Sequence, residues 1–389
     1  MIPVHRETRD NPFNYDRELF ASLRRAFIAG DLSLDGSRLN RPPATLDEHD
    51  ARVLRRSQDP ASATTEFAAQ RIAGEAAIRA GEVAALVLNG GLATRFGGLV
   101  KGVVPVTGDD PRRSFLALKL GALRATARRF KASIPAIVMC SFATRAASDA
   151  HLQEIAWADL KPSDRLTFDQ SLLPRIDREG VPLVDRPEAS KMPQSALYAA
   201  PGHGDTLAQA VRSGLVNRLR ARGIRHVLVS NVDNLGATID AQVLGLHLAA
   251  VAKGASASVE VVRRQPGDVG GCIAEVDGRA LIVEGFRLPP ATDPERYLHF
   301  NTNTIWLTLD ALASEPPLTF FPVARRIPWV DGQDLEIIQF EQLIGQLTEH
   351  LPSAYLEVDR QRRFVPIKTR DDLRAAEPWL LSLIADIAR

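Results

Sequence analysis

Apolar positions fall into two textures along the chain. From Val83 to Leu88 the residues are Val-Ala-Ala-Leu-Val-Leu, an unbroken run ending in Asn89-Gly90-Gly91. A short apolar run closed by a glycine turn predicts a strand buried on both faces. Residues 114–129 predict a helix after this strand, and residues 134–139 and 226–230 predict two more strands. Residues 205–222 predict one amphipathic helix, with Leu207, Val211, Leu215 and Leu219 on a single face and Gly223 ending it. Alternation of strand and helix predicts an α/β fold whose mostly parallel sheet is covered on both sides. The last third differs: residues 272–276 and 280–284 flank Asp277-Gly278, a hairpin signal, and residues 303–309 predict another strand, so the sheet is expected to be mixed.

Residues 1–81 read as an N-terminal helical segment packed on the main domain. Phe20, Leu23 and Phe27 recur at helical spacing, as do Phe67, Ile72 and Ala76, and Pro42-Pro43 breaks the segment. The division expected is therefore 1–81 helical, 82–375 the main α/β domain, and 376–389 a C-terminal helix. Residues 160–203, rich in Pro, Asp and Arg, form the least regular stretch, and long connections of this kind often carry function.

Composition narrows the classes. Hydrophobic residues make up 45% and charged residues 24%, the balance of a globular protein. Lys plus Arg is 48 against 47 for Asp plus Glu, which leaves no net field for nucleic acid or an anionic membrane. Cys140 and Cys272 stand far apart in apolar runs without zinc-ligand spacing, so they are expected as reduced thiols. The first residues lack the apolar core of a signal peptide, and no apolar run is long enough to span a bilayer. The expected location is the cytoplasm, with no nucleic-acid and no membrane partner.

Four segments carry candidate chemistry. Residues 86–101, LVLNGGLATRFGGLVK, join a strand, a glycine turn, Arg95 and Lys101. Glycines let backbone N–H groups approach a base or phosphate, and the two cations neutralise phosphate charge. The segment is neither a P-loop nor a dinucleotide fingerprint, and it also suits a plain strand-to-helix turn. Pro201-Gly202-His203-Gly204-Asp205 either caps the following helix through Asp205 or forms a tight loop with room for a flat base. Residues 229–240, VSNVDNLGATID, put Asn231 and Asp233 at a strand's carboxyl end, where ligands bind and where a carboxylate holds Mg²⁺ or simply shapes a turn. Lys368, in RFVPIK, suits either a surface charge or a phosphate contact.

Taken in order, these blocks resemble the UDP-glucose pyrophosphorylase family, which also includes UDP-N-acetylhexosamine pyrophosphorylases. LNGGLATRFG is similar to the family's nucleotide loop, and FDQSLLPRI to its NQS…PRI segment. PGHGD and VSNVDNLGATID match closely. GGCIAEVDGRALIVE, FNTNTIW, IIQFE and RFVPIKTRDDL follow in the family's order, and the resemblance covers about residues 83–375. It implies a Rossmann-like sheet of the nucleotide-diphospho-sugar transferase type, binding UTP and a sugar 1-phosphate with Mg²⁺. On the matching positions it implies that Leu88, Asn89, Gly90 and Gly91 lie at the uridine. Gln170 and Gly202 would read the uracil edge, and His203 would line that pocket. Asp233 would hold the metal. Asn231, Gly271, Glu284, Asn301 and Asn303 would face the sugar. Arg95, Lys101 and Lys368 would serve as the phosphate-facing cations.

Three departures stand out. Ala93 replaces a glycine of the nucleotide loop. The family's KGPKS becomes Lys101-Gly102-Val103-Val104-Pro105, preceded by two inserted residues, so a second lysine is missing and Arg95 is expected to substitute for it. The chain ends 17 residues after Asp372, which leaves no room for the family's β-helical domain and predicts a monomer or a differently built small homo-oligomer. Glucose 1-phosphate is the expected sugar substrate. The alternatives are another UDP-sugar, such as a UDP-N-acetylhexosamine, or a catalytically silent UDP-sugar-binding regulator.

Overall fold

The computed structural model describes residues 15–55, 65–93 and 99–388. Its centre is one mixed sheet. Across it the strands run Val53–Arg55, Ser353–Glu357, Ala257–Arg263, His299–Thr308, His226–Asn231, Val83–Leu88, Ala136–Cys140 and Arg165–Asp169. The last four named after His299–Thr308 are mutually parallel. The strand His299–Thr308 is antiparallel to both of its neighbours and gives the sheet its mixed character. The hairpin Cys272–Val276/Arg279–Val283 pairs beside it, turning at Asp277-Gly278 with positive φ at both residues as the sequence signal requires.

The apolar run Val83–Leu88 is buried on both sides because its alternate residues serve two cores. Val83 and Val87 pack with Phe115, Leu120 and Leu244, whereas Ala84, Leu86 and Leu88 pack with Leu207, Leu215 and Leu219. The helices Thr65–Arg79, Phe115–Phe130, Ala241–Ala252 and Arg370–Ala388 contribute to the first core. Two of them approach closely through glycines: a Cβ on Gly74 would fall 1.9 Å from the Ala241 carbonyl oxygen, and one on Gly245 1.9 Å from that of Gln70.

Several expectations need correction. The segment 205–222 is two helices, Thr206–Arg212 and Leu215–Ala221, because Gly214 takes a left-handed conformation between them. The N-terminal segment is not purely helical: Val53–Arg55 adds a parallel edge strand to Ser353–Glu357. The helix Arg17–Ala29 packs Phe20 and Phe27 on the ribbon Phe321–Pro328/Asp334–Glu341, away from the main core. Ile72 points to solvent at 62% exposure, since glycine contact rather than apolar periodicity sets the buried side of its helix. The expected boundary at 375/376 falls inside the single helix Arg370–Ala388, which Thr369 and Asp372 start with reciprocal bonds of 2.8 and 3.1 Å. Among the described residues no helix is long and apolar enough to cross a membrane, and both cysteines are buried free thiols.

Candidate active site

Strand register determines where the candidate residues meet. Leu88 stands level with Asn231 on one side and Met139 on the other, and Cys140 stands level with Asp169. Four parallel strands therefore end together, and the residues that follow each of them emerge at one edge. That edge is where an open α/β sheet binds ligands. Leu88, Gly90, Gly91, Lys101, Met139, Gln170, Ala200, Gly202, His203, Asn231, Val232, Asp233 and Glu341 line a single cleft of about 280 Å³ there.

The glycine positions are forced by close approach. A Cβ on Gly90 would lie 1.9 Å from Oε1 of Gln170. Gly202, at φ 79°, would drive a Cβ to 2.4 Å from the Gln342 carbonyl oxygen. Gln170 joins the two loops: its backbone N–H donates to Cys140 (2.8 Å), and its side-chain amide donates to the Gly202 carbonyl (2.7 Å). Asp205 does not cap its own helix through its side chain. Its carboxylate accepts from the Ser171 backbone (2.7 Å) and the Gln209 amide (3.0 Å), tying the GHGD loop to the segment after Gln170. Burial pushes the Asp205 carboxyl up, opposed by those hydrogen bonds.

His203 accepts from the Ile344 backbone N–H at Nδ1 (2.9 Å). Burial lowers its pKa to about 4, so the ring is neutral and Nε2 carries the proton. The site thus presents a neutral donor rather than a cation at this point.

Asp233 forms an ion pair with Lys101, and its backbone carbonyl accepts from the Ile367 N–H (3.2 Å). Lys368, the next residue, is exposed beside the Asp233 loop, with its backbone N–H held by Asp372 at 2.8 Å. The sugar-side residues enter through a bulge. Between Glu260 and Val261 the pairing to His299–Thr308 skips two residues, and Asn303 there has φ 55°. Its amide donates to Oδ1 of Asn231 (2.9 Å), while Oδ1 of Asn301 accepts from the Asn303 backbone (2.9 Å). The Asn301 N–H donates to the Gly271 carbonyl (2.9 Å), and a Cβ on Gly271 would stand 3.1 Å from the Glu284 carboxylate. Burial raises the Glu284 pKa to about 7, with Arg287 opposing. Gly271, Glu284, Asn301 and Asn303 therefore adjoin the cleft through Asn231 rather than lining it.

Asn89 is turned away. Its amide donates to Ser148 (2.8 Å), and its Oδ1 packs where a Cβ on Gly102 would be, 2.1 Å away, with no hydrogen-bond partner among the described residues. It braces the turn that carries Lys101 instead of facing the cleft. Arg95 lies outside the described residues. Glu341 was not foreseen. It lines the cleft and is held by Arg325 at 3.3 Å and by Gln339. Its signal in the sequence was a lone charge at the end of the IIQFE strand.

The sheet defines the class: an open α/β fold whose cleft of glycine loops, one neutral histidine, paired amides and a lysine–carboxylate pair lies at the carboxyl edge of its parallel strands. Comparison with known proteins sharpens the class. The chain belongs to the UTP–glucose-1-phosphate uridylyltransferase family, whose model matches residues 44–386. It is 30% identical over 314 residues to the UTP–glucose-1-phosphate uridylyltransferase of Saccharomyces cerevisiae and equally so to a probable one of Schizosaccharomyces pombe, in each case 78% of this chain and 60% of the relative. The chain thus spans about 60% of the length of these relatives. In fold it is similar to a UDP-glucose phosphorylase of Trypanosoma brucei (TM-score 0.72, 23% identity, 92% of this chain and 75% of that one). It is also similar to a UDP-glucose pyrophosphorylase mutant of Leishmania major in complex with UDP-glucose (0.71, 24%, 92% and 74%).

Proposed function

We propose that this chain transfers a uridylyl group from UTP to glucose 1-phosphate, forming UDP-glucose and releasing pyrophosphate. The observation that carries the reading is the convergence of Gly90-Gly91, Gln170, Gly202-His203, Asn231 and the Lys101–Asp233 pair on one cleft. Family membership supports the reaction class.

A phosphate oxygen of the sugar phosphate attacks the α-phosphorus in line, and the bond to pyrophosphate breaks. That nucleophile is already an anion at neutral pH, so no general base is needed. The obstacle is repulsion between two anions, and catalysis rests on positioning and charge neutralisation. Leu88, Gly90, Gly91, Gln170, Gly202 and His203 would hold the uridine. Asn231, Asn301, Asn303, Gly271 and Glu284 would hold the sugar. Lys101 and Lys368 would face the phosphates, with Arg95 as the third cation in place of the missing lysine.

The donor set suits Mg²⁺. Asp233 supplies hard carboxylate oxygens at the cleft, and no cluster of three or more His, Cys, Asp or Glu able to cage a metal exists among the described residues. A single carboxylate fits an ion that takes its remaining ligands from phosphates and water. Bound at Asp233, Mg²⁺ would supply charge neutralisation for the phosphates.

A pyrophosphate-release assay over a panel of sugar 1-phosphates and nucleoside triphosphates, with and without Mg²⁺, tests the proposal. UTP with glucose 1-phosphate is expected to give the highest kcat/KM. Preference for N-acetylglucosamine 1-phosphate would reassign the sugar, and UDP-glucose binding without turnover of any sugar phosphate would overturn the enzymatic reading. In the same assay Arg95→Ala is expected to lower kcat at saturating UTP.

A further inference from the structure

The helix Phe115–Phe130 buries an almost wholly apolar face, Phe115 to Leu123, with one exception: Lys119, which is 6% exposed. Placing an ammonium in such surroundings is costly, and an apolar side chain would pack there without that penalty. Burial accordingly lowers the Lys119 pKa to about 7. Its contacts explain what the cost sustains. The Lys119 Nζ donates to Oγ of Ser230 (2.9 Å) and to the Ala237 carbonyl (2.7 Å). These are the two ends of the loop that carries Asn231 and Asp233.

A second buried cation grips the next carbonyl from the other side. Arg363 donates to the Thr238 carbonyl (2.7 Å) while pairing with the fully buried Glu260 through Nε (3.0 Å) and Nη2 (2.6 Å). Trp306 completes the Glu260 environment with a 3.0 Å bond. Asn234 and Gly236 lie against the Arg363 segment, the former donating to the Arg363 carbonyl at 3.1 Å. The two cations differ in one respect. Arg363 has its own carboxylate, whereas among the described residues Lys119 makes no ion pair, and Asp233 is among the charges that attract it.

We propose that Lys119 is a positioning residue of the uridylyl-transfer site: by holding Ser230 and Ala237 together from beneath, its ammonium fixes the loop that presents Asp233 and Asn231 to the cleft. Lys119 does not line the cleft or touch substrate, and the inference rests on the uridylyltransferase reading above. Removing it frees the loop ends, so the expected damage is displacement of Asp233, not loss of a cation at the phosphates. Misplacement on the order of 1 Å lowers turnover about 10²-fold.

The test compares Lys119→Met, Ser230→Ala and the double variant by three measurements: Mg²⁺-dependent UTP binding by calorimetry without sugar phosphate, kcat with glucose 1-phosphate, and thermal unfolding. Lys119→Met is expected to lower kcat by about 10- to 100-fold and to raise the Mg²⁺ concentration that half-saturates UTP binding. Ser230→Ala should move both readouts the same way by less, and adding it to Lys119→Met should change neither further. Lower thermal stability with parental kcat and parental Mg²⁺ half-saturation would show Lys119 to be structural only and overturn the proposal. If Lys119→Met does not fold, Ser230→Ala decides: parental kcat and Mg²⁺ dependence overturn it. If the parent turns over no sugar phosphate, the functional reading fails, and the calorimetric arm still decides the role of Lys119.

Discussion

Asn303 donates its side-chain amide to Asn231 across 2.9 Å, and this bond joins the antiparallel strand to the parallel half of the sheet at the cleft. It forms because the bulge before Thr304 turns Asn303 to φ 55°, a conformation that asparagine tolerates better than most residues. Asn303→Ala removes the amide and strains the backbone, whereas Asn303→Gly removes the amide alone. Both are expected to raise KM for glucose 1-phosphate by about 10-fold, the worth of one hydrogen bond to an oriented polar group, with UTP affinity unchanged. Asn303→Ala should also lower thermal stability relative to Asn303→Gly. Steady-state kinetics and thermal unfolding of the pair separate the two effects. Unchanged KM in both would remove Asn303 from the sugar site.

The Lys101–Asp233 pair is poised at the cleft with both side chains largely buried. Lys101→Met and Asp233→Asn are each expected to lower kcat by about 10²- to 10³-fold at saturating substrates, the typical loss of one preorganised charge. Forward synthesis and pyrophosphorolysis share a transition state, so the loss should be similar in both directions. An effect confined to thermal stability would make the pair a structural ion bridge.

Gly202 meets the Gln342 backbone at 2.4 Å from its would-be Cβ and holds φ 79°. Gly202→Ala must therefore shift the Pro201–Asp205 turn, which is also bonded to Gln342 through the Gly204 N–H at 2.9 Å. UTP affinity should fall at least 10-fold by calorimetry, and stability should drop by about 1–3 kcal/mol, the range for backbone strain. Gly214→Ala is the control: it shares the positive φ, but nothing lies within 4 Å of its would-be Cβ and it lies outside the cleft, so it should lose stability alone.

The parts of this site that were legible in the sequence are those fixed by local chemistry. An apolar run such as Val83–Leu88 reads as a buried strand because both of its faces need cover, and Asp277-Gly278 reads as a hairpin because few residue pairs take its dihedrals. Glycines at 90 and 202 read as positions that admit a base or phosphate, whereas the groups found close against them are Gln170 and Gln342, which the sequence did not indicate. What stayed illegible depends on partners distant in sequence. Asp205 looks like a helix cap until Ser171 is brought to its carboxylate. Asn89 sits in the nucleotide loop yet spends its amide on Ser148, 59 residues away. The strand Val53–Arg55 is too short to signal itself and exists because Ser353–Glu357 offers an edge. Lys119 interrupts an apolar helix face, and only the fold shows that the interruption reaches the loop of Asp233.

Glu284 separates function from stability. Its carboxylate is packed against Gly271 and Gly345, and among the described residues it accepts no hydrogen bond. The nearby cation, Arg287, is already paired with Glu349. Burial therefore raises its pKa from 4.5 to about 7. For an acid with a raised folded-state pKa, the folded chain binds more protons than the unfolded one between those values, so stability is lost as pH rises from about 4.5 through 7. Above pH 7 the ionised carboxylate is retained at a cost. Glu284→Gln removes that cost, and the variant is expected to be more stable than the parent above pH 7 by about 3 kcal/mol. The difference should shrink to near zero below pH 4.5. The same variant should bind the sugar phosphate less well, because an amide accepts hydroxyl hydrogen bonds more weakly than a carboxylate. Denaturant unfolding at a series of pH values, set beside KM for glucose 1-phosphate, measures both. A stability difference that does not change with pH would mean that Glu284 titrates normally and that its pocket is wetter than the packing around Gly271 implies.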